Sequence, residues 1–268
     1  MTQAFLKLDG VRLEYAGLDG SGFLAVSDVT LDIHQGEFIT VVGPSGCGKS
    51  SLLLMIGGLI HPTAGTITLD GELIRSPGPN RAIVFQEAGL LPWRSVLANV
   101  ELGLELQRVP KAERRAVAQQ LIQRVGLEGF EQYRPYQLSG GMRQRVGIAR
   151  ALALDPAVLL MDEPFGALDA QTRQVMAADL LEVWERDRKT ILFVTHDIDE
   201  AVYLADRVVV MSASPGRVLE VLNIDLPRPR TMEMRGLDTF ASYRLRIWNL
   251  LESEVRKTLG RELAGARR

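Results

Sequence analysis

The stretch Gly43-Pro44-Ser45-Gly46-Cys47-Gly48-Lys49-Ser50 decides how the rest of this chain is read. Its spacing is G-x-x-x-x-G-K-[ST], the pattern of a phosphate-binding loop. Before it runs Glu37-Phe38-Ile39-Thr40-Val41-Val42, short, apolar and β-branched, as a buried strand requires. After it runs Ser51-Leu52-Leu53-Leu54-Met55-Ile56, which suits a buried helix. Glycines let such a loop fold round phosphates with its N–H groups pointing inward. The helix N-terminus adds partial positive charge at the same place. Lys49 would reach the β- and γ-phosphates, and the Ser50 hydroxyl would ligate Mg²⁺.

The chain has 268 residues, 46% hydrophobic and 24% charged, with net charge −2. That composition can bury a sizeable core and has no basic excess of the kind general nucleic-acid binding needs. One cysteine cannot form an internal disulfide, so a reducing compartment fits. The N-terminal residues lack the basic start and long apolar middle of a signal peptide. The longest apolar stretch, residues 52–60, is about half of what a membrane-spanning helix requires.

Residues 5–35 alternate apolar and polar, as antiparallel strands with one wet face do, with Gly17 to Gly22 as the turn between them. Ala82-Ile83-Val84-Phe85 reads as a buried parallel strand ending at Gln86. The segment from 87 to about 155 reads as a helical insert. It contains a helix over 111–125 and another opening at Ser139, a good N-cap. Buried strands return at 157–161, 190–194 and 208–211, with an amphipathic helix over 170–186. Strands alternating with helices imply a mostly parallel sheet. Residues 223–236 are Pro- and Arg-rich, a linker. Residues 238–257 read as one helix, with Phe240, Tyr243, Ile247, Leu251 and Val255 on its apolar face.

Two further stretches carry chemistry. Val158-Leu159-Leu160-Met161-Asp162-Glu163 places two carboxylates at the C-terminal end of a buried strand, where ligands of parallel sheets bind. Asp162 would hold Mg²⁺ through water, and Glu163 would polarise an attacking water as general base. Leu138-Ser139-Gly140-Gly141-Met142-Arg143-Gln144-Arg145 makes a second anion site: a hydroxyl and free N–H groups at a helix start. With one phosphate cradle already present, this second site points to the nucleotide of another subunit.

Leu138 to Arg145 resembles the signature sequence of ATP-binding cassette (ABC) ATPases, and the family's other motifs follow in order. Tyr15 matches the aromatic that stacks on adenine. Gln86 matches the glutamine that senses Mg²⁺ and the attacking water. Asp169 matches the loop that crosses the dimer interface, and His196 the histidine at the γ-phosphate. The resemblance covers about residues 5–225. It implies an α/β fold: a RecA-like P-loop NTPase core with parallel sheet, an N-terminal antiparallel β subdomain and an inserted helical subdomain. The ATPase domain would be residues 1–225 with its helical part at about 87–155. Residues 226–268 would be a linker and an amphipathic helix.

The resemblance also implies a mechanism. Two copies pack head to tail. ATP, with Mg²⁺, lies between Gly43 to Ser51 of one copy and Ser139, Gly140 and Gly141 of the other. Hydrolysis at Glu163 with His196 reopens the pair, and a groove beside Gln86 passes the movement to two transmembrane permease subunits. No catalytic position departs from the family pattern, which implies active hydrolysis. Residues 86–94, 162–169 and 76–79 resemble the importer branch serving taurine, alkanesulfonates and nitrate. Within it, residues 125–129 and 214–220 are most similar to taurine-importing ATPases. That implies a periplasmic or lipid-anchored binding protein as indirect partner, no nucleic acid, and a peripheral place on the cytoplasmic face of a bacterial inner membrane. A soluble ABC ATPase working on DNA or the ribosome is the alternative, as is a non-hydrolysing nucleotide-gated module.

Several residues keep two readings. Tyr15 is a strand aromatic or an adenine platform, and His196 a strand-end histidine or a γ-phosphate contact. Cys47 is a spacer, or a thiol made reactive by the loop's N–H donors. Leu90, Leu91 and Trp93 are insert core or a groove wall for a membrane-subunit helix. Arg228, Arg230 and Arg235 sit in a solvated linker or meet anionic lipid.

Overall fold

The computed structural model describes residues 4–17 and 22–265, with side chains through residue 256. The expected turn at 17–22 falls mostly outside the described residues. The chain divides into two compact units, residues 1–77 with 190–268, and residues 78–189.

In the first unit, β1 (Leu6–Ala16) and β2 (Gly22–Ile33) pair antiparallel. The alternation Leu6, Leu8, Val11, Leu13 buries one face and leaves the polar partners outside, as a period of two demands. Next comes β3 (Phe38–Val42), buried at every position, which leads through the glycine loop into α1 (Lys49–Ile56). The strands β4 (Ala64–Leu69) and β5 (Glu72–Leu73) extend the antiparallel sheet to the order β2-β1-β4-β5.

The second unit begins with β6 (Arg81–Val84). Two short helices follow, α2 (Val96–Val100) and α3 (Leu102–Leu106), then α4 (Lys111–Arg124) and α5 (Gly140–Leu152). These helices share a core around Val96, Val100, Leu121, Ile122, Val146 and Ala149. The unit closes with β7 (Val158–Asp162), parallel to β6, and α6 (Ala170–Asp187).

The chain then returns to the first unit with β8 (Thr190–Val194), α7 (Ile198–Leu204), β9 (Arg207–Met211) and β10 (Val218–Asn223). β3 lies between β8 and β9, parallel to both, and β10 runs antiparallel to β9. Such full burial of β3 and β8 explains why their sequences are unbroken apolar runs. The last element is α8 (Asp238–Gly265), longer than the sequence suggests.

The Arg-rich segment before α8 is not a solvated linker. Arg230 is 7% exposed. Its guanidinium donates to the carbonyls of Val202 at 3.0 Å and Ala205 at 2.9 Å, with longer contacts to Tyr203 and Ile224. Burial, with Arg228 close by, lowers its pKa to about 10, so it stays charged at neutral pH. Arg228 pairs with Asp206 at 2.7 Å, and Arg235 stacks on the Tyr203 ring. None of this is visible in composition, because the acceptors come from a helix end about 25 residues earlier. α8 buries Phe240, Ile247 and Glu254, seven residues apart each time, or two helical turns. Val255 lies one position round from that stripe and is exposed, contrary to the sequence reading.

Candidate functional site

The phosphate loop emerges at the C-terminal end of β3. Gly48 caps α1 in the left-handed region at φ 93°, and a Cβ there would meet Ala25 O and Val26 Cγ2 at 2.8 Å. Only glycine fits. Gly46 is also left-handed, at φ 73°, but faces open space. No side chain caps α1, so an outside acceptor can approach its first-turn N–H groups. The Lys49 stem is buried, and its ammonium donates to Gly43 O at 2.8 Å and Pro44 O at 2.9 Å. The cation is thus held over the loop's own backbone. Cys47 is fully buried with its Sγ 3.9 Å from Lys49 Nζ. Burial pushes its thiol pKa up, partly opposed by Lys49, so it is a packed spacer and not an activated thiol.

Tyr15 is the next-to-last residue of β1, is 42% exposed, and its hydroxyl lies 3.0 Å from Ser51 Oγ on α1. The structure therefore brings Tyr15 to the first turn after the loop. Phe23 stands directly opposite it in β2 and is also exposed. Direct partners in an antiparallel pair share a face, so two aromatics line this edge. The sequence reading took Phe23 only as an apolar strand position.

His196 follows β8 and is exposed. Behind it, Thr195 N donates to Val41 O at 3.1 Å, which ties the loop to β3. Thr195 Oγ1 bonds the buried Glu200 carboxylate and accepts from Asp197 N at 3.0 Å. Asp197 caps α7.

In the other unit, Asp162 ends β7 half-buried, and Glu163 follows at φ 45°. A non-glycine residue there carries backbone strain of the kind found at working sites. Gln86 lies two residues past β6. A Cβ on Gly166 would sit 3.0 Å from Gln86 Nε2 and 3.5 Å from Glu163 Oε2, so amide and carboxylate converge over that glycine. Ser139 caps α5, its hydroxyl accepting from Met142 N at 3.2 Å. Gly140 and Gly141 lie against Leu168 and Thr172. Asp169 caps α6, accepting from Thr172 Oγ1 at 2.6 Å, and this bond holds its carboxyl below the usual range. Gln86, Gly140 and Leu168 line one cavity of about 400 Å³.

Trp93 is 69% exposed, which excludes it from the insert core. The loop carrying it is braced by Asn99, fully buried, which exchanges hydrogen bonds with Leu91 and donates to the carbonyls of Arg94 and Ser95. Arg150 holds the carbonyls of Ala88 and Gly89. Sequence reasoning missed both braces, since neither lies in a motif.

Ser50 and Asp162 each carry an oxygen donor of the kind Mg²⁺ takes. Among the described residues no cluster of three His, Cys, Asp or Glu side chains could form a metal cage. Mg²⁺ instead takes one or two protein oxygens and completes its shell with phosphate and water.

The comparisons agree with the geometry. Residues 26–166 match the family model described as ABC transporter. The chain is 54% identical over 241 residues to an uncharacterised ABC transporter ATP-binding protein of Methanocaldococcus jannaschii, covering 90% of this chain and 89% of that one. It is 51% identical over 220 residues to the taurine import ATP-binding protein TauB of Yersinia pestis, covering 82% and 84%. Among solved structures it resembles the dimeric post-hydrolysis state of the ATP-binding cassette MJ0796 bound to ADP and phosphate. There the TM-score is 0.72 at 34% identity, over 83% of this chain and 100% of that one. It also resembles cbiO1 of Clostridium perfringens, part of an ABC transporter complex, with a TM-score of 0.76 at 28% identity, over 96% and 99%. This chain belongs to the ABC transporter ATP-binding family. It is an ATP-binding subunit with the P-loop α/β fold, and that domain implies ATPase activity.

Proposed function

We infer that this protein energises import, coupling ATP binding and hydrolysis to uptake of taurine or a related sulfonate through two membrane permease subunits. The observation that carries the energising role is the pairing of two anion sites in one chain: the Lys49 cradle and the serine-capped start of α5. One nucleotide needs one cradle, so the second site serves the nucleotide of another copy, and a dimeric relative supports this. Lys49 and the loop N–H groups bind the phosphates, and Tyr15 with Phe23 supports the base. Ser50 and Asp162 would hold Mg²⁺, which neutralises phosphate charge when bound. Glu163 takes the proton from the attacking water, Gln86 orients that water, and His196 steadies the γ-phosphate. Ser139, Gly140, Gly141 and Asp169 close the site from the second copy. Exposed Trp93 and the cavity beside Gln86 would receive a helix of the permease. This places the subunit on the cytoplasmic face of the membrane, served from outside by a binding protein.

Taurine rests on the similarity to the taurine import proteins, and nitrate or another small anion is the second reading. Vesicles carrying the permease and this subunit, loaded with ATP, should accumulate labelled taurine or an alkanesulfonate from the binding-protein side. Uptake of nitrate alone would move the substrate. ATP-driven export, with no uptake of any of the three, would overturn import.

A further inference from the structure

The turn of residues 212–217 joins β9 to β10 and meets the phosphate loop. A Cβ on Gly43 would sit 3.1 Å from Met211 O, so the loop starts against the end of β9. A Cβ on Gly216 would overlap Cys47 O and sit 2.8 Å from Met211 Cε. Backbone meets backbone at this point, and a residue with a side chain does not fit without a shift.

The turn is tied in place. Gly216 N donates to Ala25 O at 2.9 Å, and Gly216 O accepts from Ser27 N at 2.9 Å, a parallel bridge to β2 at Val26. The Ser212 hydroxyl accepts from Arg217 N at 3.0 Å and lies within 3.0 Å of the carbonyls of Ala213 and Pro215. From α8, the Glu254 carboxylate accepts from Ala213 N at 3.0 Å. A side chain on Gly216 would therefore cost either these bonds or the position of Cys47 O.

That carbonyl belongs to the peptide that carries the Gly48 N–H. A trans peptide is planar, so its C=O and N–H point in opposite directions and move together. With the oxygen held against Gly216, the Gly48 N–H faces the other way. Gly48 opens α1, whose first turn no side chain caps, and a helix start of that kind receives anions.

We propose that Gly216 is a positioning residue for the phosphate loop: it backs the Cys47 carbonyl and so aims the Gly48 N–H at the nucleotide's phosphates. The inference rests on the reading that residues 43–51 cradle those phosphates.

The test is Gly216→Ala in the full-length protein, with ATP and ADP affinity by isothermal titration, KM, kcat and melting temperature measured beside wild type. Both nucleotides should bind about tenfold more weakly, because a donor to a charged phosphate is misaimed. KM should rise by the same factor, and kcat at saturating ATP should stay within about twofold. A melting temperature that falls with both affinities unchanged would reduce Gly216 to packing and overturn the inference. So would a loss confined to kcat. If the variant does not fold, hydrogen exchange on the wild type decides. Coupling is reciprocal, so ADP with Mg²⁺ should slow exchange of the Gly216 and Arg217 amides several times more than that of Ile224, just past the far end of β10. Equal slowing, or none, would overturn the inference. Lys49→Ala separates the two readings. Wild-type ATP affinity there would remove the cradle and this inference with it, whereas wild-type affinity in Gly216→Ala alone overturns this inference only.

Discussion

The two units differ in the chemistry of their candidate residues. The unit of residues 1–77 and 190–268 offers a buried ammonium, an exposed aromatic edge and a histidine. The unit of residues 78–189 offers carboxylates, an amide and a glycine-rich helix tip. Lys49 is buried with two carbonyl partners within 2.9 Å, and in the proposed function it binds the ground-state triphosphate. Glu163 is held in strained backbone, and in the proposed function it acts when a proton moves. Groups of the first kind set affinity, and groups that act only in the transition state set rate. Substitutions at Lys49 and Tyr15 should therefore change ATP binding, and those at Glu163 and Ser139 should change turnover or assembly.

The largest effect expected is that of Glu163→Gln, which should slow hydrolysis about 10²- to 10⁴-fold while ATP binds normally. A loss of affinity instead would break the division. Lys49→Ala should weaken ATP binding at least about a hundredfold, since charge-assisted bonds are worth roughly 1.5–3 kcal/mol each. Isothermal titration with unchanged affinity would remove Lys49 from the cradle. Ser139→Arg should keep monomer binding and abolish ATP-driven dimers seen by light scattering. Dimers that persist would mean the second anion site serves something else. Tyr15→Ala should weaken ATP about tenfold, and Tyr15→Phe much less, because ring stacking and not the hydroxyl supports the base. The smallest change in function is expected of Asn99→Ala. Leaving its buried partners unsatisfied should cost about 2 kcal/mol in urea unfolding, with ATP affinity untouched.

The phosphate loop was legible because its chemistry is local: eight consecutive residues, a strand before them and a helix after. The same holds for Ser139 and Asp169, whose caps close within three residues. The parallel strands showed in their unbroken apolar runs. The helices α2 and α3 did not, since five residues each are too few to display a period. Arg230 was misread because an arginine among prolines looks solvated until folding brings carbonyls to it. Phe23 acquires its place only through register with Tyr15. Val255 was assigned to the wrong face because an apolar residue one step off the buried stripe counts the same in a periodicity. What the sequence hides in this protein is contact made across long separations.

The most direct measurement is the mass of the Glu163→Gln protein in solution, by light scattering, with and without saturating Mg-ATP. A monomer without nucleotide that becomes a dimer holding two ATP molecules is the predicted result. A protein that binds ATP tightly yet stays monomeric at every concentration, while the wild type hydrolyses ATP as a monomer, would contradict the shared site.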